Sequence, residues 1–140
     1  MAEATVRAAT TADIPALAQI DAWPAEAHWH SRIRDGGVLV LEAEGRVVGL
    51  ARWSALWATV PFLELIEILP EHRGRGGSRR LIAALLADLK RRGYVALLSS
   101  SQTDEPDPQR WHIHMGFHSN GIIENIADDG VGEIVYRLVL

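Results

Sequence analysis

The stretch Ile68-Leu69-Pro70-Glu71-His72-Arg73-Gly74-Arg75-Gly76-Gly77-Ser78-Arg79-Arg80-Leu81 decides how the chain is read. Before it, Val60 to Leu69 (VPFLELIEIL) is an apolar run that predicts a strand, and Pro70 ends that strand because its ring removes a ladder donor and disfavours helix in the residue before it. After it, Leu81, Ile82, Leu85, Leu86 and Leu89 recur at helical spacing up to Gly93, where Arg91 and Arg92 suit the negative end of a helix. Tyr94 to Leu98 (YVALL) is the next strand, so residues 60–98 predict a strand, helix, strand unit with a parallel pair and a right-handed crossover. At its centre a glycine-rich loop opens a helix. Such a helix start has unpartnered N–H groups, its glycines let an anion approach the chain, and its arginines add charge and forked donors. A phosphate or pyrophosphate ester is the ligand this chemistry fits.

Two phosphate motifs are excluded. No Gly-Lys-Ser/Thr occurs, as a nucleoside-triphosphatase loop needs, and no GxGxxG follows the first strand, as a dinucleotide fold needs. An RNA-binding Arg/Gly tract would repeat, and this is a single copy fixed between strand and helix. A merely structural basic turn stays open at this point.

Upstream, residues 4–9 predict a first strand and Thr11 with Asp13 a capped helix ending near Asp21. Pro24 opens a second helix through Arg34, stopped by Gly36-Gly37. Val38 to Leu41 and Val47 to Trp57 flank the turn Glu44-Gly45-Arg46 as a hairpin. Downstream, Ser99 to Pro108 reads as a polar loop and Gln109 to Met115 as a short helix. Phe117 to Ile126 and Gly132 to Leu140 read as two closing strands around Asp128-Asp129-Gly130. The whole is one mixed α/β domain, residues 1–140.

The 140 residues are 48% hydrophobic and 23% charged, the balance of one globular domain. With no cysteine, a disulfide scaffold, thiolate-bound metal and a covalent cysteine mechanism are all excluded. A net charge of −4 argues against nucleic acid as partner, and the absence of both a signal-like start and a long apolar run makes the cytoplasm the expected location, with no membrane partner. His28-Trp29-His30 and His112-Ile113-His114 place paired rings on opposite sides of a helix, so no metal is expected.

Leu69-Pro70 followed by Arg73-Gly74-Arg75-Gly76 resembles the acetyl-CoA signature of the GNAT superfamily of N-acetyltransferases, a strand ending in V-x-P and then x-x-R-G-x-G-I-G-x-x-L. Gly77 stands where that signature has a branched aliphatic residue, and Ser78 where it has Gly or Ala. Trp111-His112-Ile113-His114-Met115-Gly116-Phe117 is similar to the family's F-Y-x-x-x-G-F. Phe62-Leu63-Glu64 with Leu69-Pro70-Glu71-His72-Arg73 resembles the aminoglycoside 6'-acetyltransferase branch. The tail from Ser119 to Tyr136, with Ser99-Ser100-Ser101-Gln102 before it, resembles a subgroup of small bacterial-type members.

This resemblance implies a mostly antiparallel mixed sheet of six to seven strands, splayed between the fourth and fifth, with about four helices. It also implies direct acetyl transfer from acetyl-CoA to the primary amine of a small molecule, with assembly as a homodimer left open. Backbone of Ile66, Glu67 and Ile68 would meet the pantetheine arm, and Arg73, Gly74, Arg75, Gly76, Gly77, Ser78 and Arg79 the pyrophosphate. Glu64 would be the acceptor-side base, its pKa raised by burial in an apolar strand, and His112 the acid at the departing sulfur, in place of the family's tyrosine. Trp29 and Trp53, with Glu64, would line the acceptor pocket. Two other readings use the same fold: a non-catalytic acyl-CoA-binding module, and a protein or peptide N-acetyltransferase with an open groove.

Overall fold

The structure, a computed structural model, describes residues 3–140. Among them the elements run β1 (Thr5–Ala8), α1 (Ile14–Ile20), α2 (Glu26–Arg34), β2 (Val38–Ala43), β3 (Arg46–Leu56), β4 (Val60–Ile68), α3 (Gly77–Arg91), β5 (Ala96–Gln102), α4 (Pro106–His114), β6 (His118–Ile123) and β7 (Glu133–Val139). The strands form one sheet in the order β1-β2-β3-β4-β5-β7-β6. β4 and β5 are parallel, paired at Phe62–Leu98 and Leu63–Ser99, while β1–β2, β2–β3, β5–β7 and β6–β7 are antiparallel. This is the mixed, mostly antiparallel α/β architecture expected from the sequence. No helix among the described residues is long and apolar enough to cross a membrane.

The described residues gather into two compact units, one running up to Ser54 and including Glu64–Asp88, the other comprising Ala55–Leu63 and Leu89–Leu140. In the first, alternation along β2 sends neighbouring residues to opposite faces of the sheet. Val38 and Val40 join Leu50, Ile14, Leu17 and Trp29 in a core closed by α1 and α2. Leu41, on the other face, lies under the start of α3, where a Cβ on Gly77 would come within 2.6 Å of Leu41 Cδ2 and 3.3 Å of Ile68 Cδ1. Gly77 is therefore a close-approach glycine, and the larger Ile68 occupies space that an aliphatic residue at 77 would need. The hairpin between β2 and β3 turns through Glu44 (φ 55°) and Gly45 (φ 76°), two left-handed residues whose twist matches the flanking strands.

In the second unit, β7 is the centre of an antiparallel trio, pairing along its length with β5 and at its other edge with β6. Here the sequence reading needs correction. Ser99 to Gln102 is not loop, because β5 continues through it and pairs Ser99–Tyr136, Ser100–Val135, Ser101–Ile134 and Gln102–Glu133. Serine hydroxyls fill inward positions that an apolar pattern would have filled, and α4 begins at Pro106, three residues earlier than expected.

Candidate active site

The loop after β4 turns on two left-handed glycines. Gly74 and Gly76 hold φ of 75° and 80°, and a Cβ on either would meet nothing within 4 Å. Both glycines are thus required by backbone angle and not by crowding, just before the first turn of α3. Arg75 and Arg79 are exposed on the same segment. Ser78 enters at the helix start, where N–H groups lack intrahelical acceptors. The left-handed glycines, the helix start and the exposed arginines are thus brought together in one segment. Arg73 is engaged differently: its Nε donates to the Ile68 carbonyl at 2.9 Å and its Nη2 to Glu67 Oε1 at 2.6 Å. One backbone group expected to receive pantetheine, the Ile68 carbonyl, is here bound to an arginine expected to receive phosphate, and the same arginine holds the Glu67 side chain. Ile66 is half-buried beside them.

Glu64 sits in a half-buried ionic cluster that no local pattern announces. Arg32 grips it with two bonds, Nε to Oε1 at 3.0 Å and Nη2 to Oε2 at 2.8 Å. Arg52 Nε donates to Oε1 at 3.1 Å and Ser54 Oγ to Oε2 at 2.9 Å, while His28 Nε2 stands 3.8 Å from Oε1. Arg52 also donates to Asp21 Oδ2 at 2.9 Å and lies over the Trp29 ring, 4.8 Å from its centroid. The expected rise in the Glu64 pKa does not occur. Burial is the largest influence and does raise it, but the Arg32 and Ser54 hydrogen bonds, with the charges of Arg32 and Arg52, together outweigh burial and hold the carboxyl below its ordinary value. Glu64 is an ionised carboxylate with its oxygens engaged.

The tryptophans also depart from expectation. Trp29 is 1% exposed and Trp53 5%, so both are packing residues, Trp29 serving as the floor under the Arg52 guanidinium. The exposed indoles are Trp23 at 95% and Trp57 at 85%. Trp57 and Ala58 both adopt left-handed angles in the tight turn closed by Thr59 N–H donating to the Leu56 carbonyl at 3.0 Å.

His112 is buried in the second unit. Its ring stacks on Tyr136 with centroids 4.2 Å apart and meets the edges of Trp111 and Phe117. Nδ1 lies 2.7 Å from the Pro108 carbonyl oxygen, and Nε2 lies 2.7 Å from Ser99 Oγ. A carbonyl oxygen can only accept, so Nδ1 carries the proton of the neutral ring and Nε2 is left as an acceptor. Burial pushes the His112 pKa down, with the Pro108 carbonyl opposing it less strongly. Ser99, buried at 2% exposure, and Ser101, bonded to the Tyr136 hydroxyl at 2.8 Å, were both missed by sequence reasoning. Among the described residues, no group of three His, Asp or Glu side chains is arranged to hold a metal.

Residues 5–117 match the model of the acetyltransferase (GNAT) family. No curated protein matches the chain. Among solved structures, Ard1 from Thermoplasma volcanium superposes with a TM-score of 0.90 at 18% identity over 99% of both chains. The ribosomal-protein-alanine N-acetyltransferase from Brucella melitensis has a TM-score of 0.83 at 25% identity, covering 96% of this chain and 99% of its own. The acetyltransferase yncA from Salmonella typhimurium, solved with its cofactor acetyl-CoA, has a TM-score of 0.82 at 19% identity over 99% and 95%. With the fold, the anion cradle and a family match over most of its length, the chain belongs to the GNAT family and is an N-acetyltransferase whose acetyl donor is acetyl-CoA.

Proposed function

We propose that the enzyme transfers acetyl directly from acetyl-CoA to a primary amine carried on a peptide or protein terminus, residues 1–140 acting as one catalytic domain. The observation that carries the choice of acceptor is the burial of Trp29 and Trp53. A closed small-amine pocket walled by these rings is removed, which supports an acceptor presented from a larger molecule. Likeness to a ribosomal-protein-alanine N-acetyltransferase at 25% identity supports the same reading.

In this reading the loop from Gly74 to Arg79 holds the pyrophosphate through backbone amides and the Arg75 and Arg79 side chains. Arg73 must leave the Ile68 carbonyl for that group to take the pantetheine arm. Glu64 is the acceptor-side residue. Because its carboxylate stays ionised and both its oxygens are held by Arg32, Arg52 and Ser54, it orients the acceptor through this cluster and is a poor proton-stripping base. His112 serves the sulfur. Transfer is direct, since no cysteine is available to hold the acetyl group.

A second reading, a small-molecule amine, is favoured by Trp23, whose fully presented indole suits a cationic ligand. One screen separates the two. Release of free CoA thiol is followed across peptides beginning with alanine, serine or methionine, and across polyamines and aminoglycosides. Turnover with peptides alone supports the first reading, and turnover with polyamines or aminoglycosides alone overturns it.

A further inference from the structure

Beside the start of α3 the first unit holds a cavity of about 310 Å³, at the small end of the range for small-molecule sites. It shares no lining residue with the Glu64 cluster. We propose that this cavity binds a short aliphatic carboxylate, at a site separate from the one that takes the acetyl donor.

Its inner wall is apolar for a reason of register. Pairing of β2 with β3 slips between Leu41 and Glu42, which face Gly49 and Val47, so Val48 is left as the extra residue of a bulge. Buried Val48 and Leu41 form the wall, and Ala43 carries it outward toward the hairpin turn. A phosphate alone would leave this wall wet, whereas a hydrocarbon tail covers it.

The polar groups are donors. His72 is only 6% exposed, and its Nε2 lies 3.1 Å from Arg46 Nη2. A guanidinium can only donate, so Nε2 accepts and the ring proton is on Nδ1. That N–H has no acceptor among the described residues and is not sealed from solvent, so it opens on the cavity that His72 lines. A buried donor without a partner is costly, and a carboxylate oxygen removes the cost. Arg75, on the exposed rim, has no hydrogen bond or ion pair among the described residues. Arg80 already draws a carboxylate to the mouth: its Nη2 is 3.0 Å from Glu3 Oε1, although that side chain is 81% exposed and weakly held. Two guanidinium groups and an N–H above an apolar wall select an anion with a tail, and they repel an amine. The cavity shares Arg75 and Gly77 with the loop assigned to the pyrophosphate, but His72 and the apolar wall lie outside that loop.

Hexanoate is the probe, titrated calorimetrically into the wild-type protein beside inorganic phosphate and hexylamine. It should bind one per chain, with phosphate at least tenfold weaker and hexylamine not binding. His72→Phe keeps the bulk of the ring and removes the donor, and should weaken hexanoate at least tenfold. Ala43→Leu fills the wall while leaving His72 and both arginines in place, and should weaken it as much. If His72→Phe does not fold, Ala43→Leu decides, together with long-range proton–nitrogen NMR of wild-type His72, whose Nδ1 resonance should move as hexanoate is added. No hexanoate binding, phosphate binding as tight as hexanoate, or affinity unchanged in the variants overturns the proposal. Hexanoate should still bind the CoA-saturated protein, weakened by no more than about tenfold because Arg75 is shared. Strict competition would make the cavity part of the donor site and overturn the proposal, whereas a wild-type protein that binds hexanoate but not CoA overturns the donor-site assignment and supports this one.

Discussion

Arg32 and Glu64 form a forked ion pair across 32 residues of sequence, Nε donating to one carboxylate oxygen and Nη2 to the other. Arg52 completes the neutralisation from β3. Glu64→Gln takes from the partly buried Arg32 its forked carboxylate partner and leaves Arg52 with Asp21 alone, and unfolding by denaturant should show a loss of about 2 kcal/mol. The double variant Glu64→Gln with Arg32→Met should recover part of it. Because the folded pKa is depressed, the pair's contribution is fully present above the unfolded carboxylate value and is lost as pH falls through the lower, folded value. A Glu64→Gln protein with wild-type stability at pH 7 would show the cluster to be a loose surface contact.

Gly77 carries a sharper steric prediction. Helix propensity alone favours Gly77→Ala by up to ~1 kcal/mol, yet the new methyl would lie 2.6 Å from buried Leu41 Cδ2. Steric cost should win, lowering stability by roughly 1–2 kcal/mol, and the cost should shrink in a Leu41→Ala background. Stabilisation by Gly77→Ala would mean that Leu41 yields freely.

How much of this could be read beforehand depends on whether the signal is local. The anion cradle was legible because its parts, a proline-stopped strand, two left-handed glycines and an amphipathic helix, are contiguous in sequence. Ser99 to Gln102 was misread because β-strand patterning looks for alternating apolar residues, and here the inward side chains are hydroxyls whose partners, His112 and Tyr136, are 13 and 35 residues away. Arg32, Arg52, Asp21 and Ser54 were missed for the same reason, although Arg52 within the apolar run of β3 was a charge that needed a partner. Trp29 and Trp53 were assigned to a pocket on composition, whereas Trp29 belongs to the core that α2 closes over β2 and β3, and Trp53, next to Arg52 in β3, is buried on the opposite face of the strand.

His112 gives a stability prediction of its own. Its pKa is lowered by burial, so the folded state stays neutral while the unfolded chain takes up a proton below about pH 6.5. Stability should therefore decline as pH falls from there, with a slope of up to ~1.4 kcal/mol per unit until the folded ring titrates. Melting curves of His112→Gln should lack this component, and an unchanged pH slope in that variant would place the titration elsewhere.

Direct transfer predicts intersecting double-reciprocal plots when acetyl-CoA and the amine are varied together, and no gain of acetyl mass by the protein in acetyl-CoA alone. Parallel lines with a stable acetylated protein would contradict it.

The most direct measurement is calorimetric titration of CoA into the wild-type protein and into Gly76→Val. The wild-type protein should bind one CoA per chain. Gly76→Val, which forces a β-branched residue into a φ of 80°, should bind at least tenfold more weakly, about 1.4 kcal/mol, while its fold is retained by circular dichroism. Equal affinity in the two proteins, or no binding to the wild type, would contradict the assignment of residues 73–79 as the donor site.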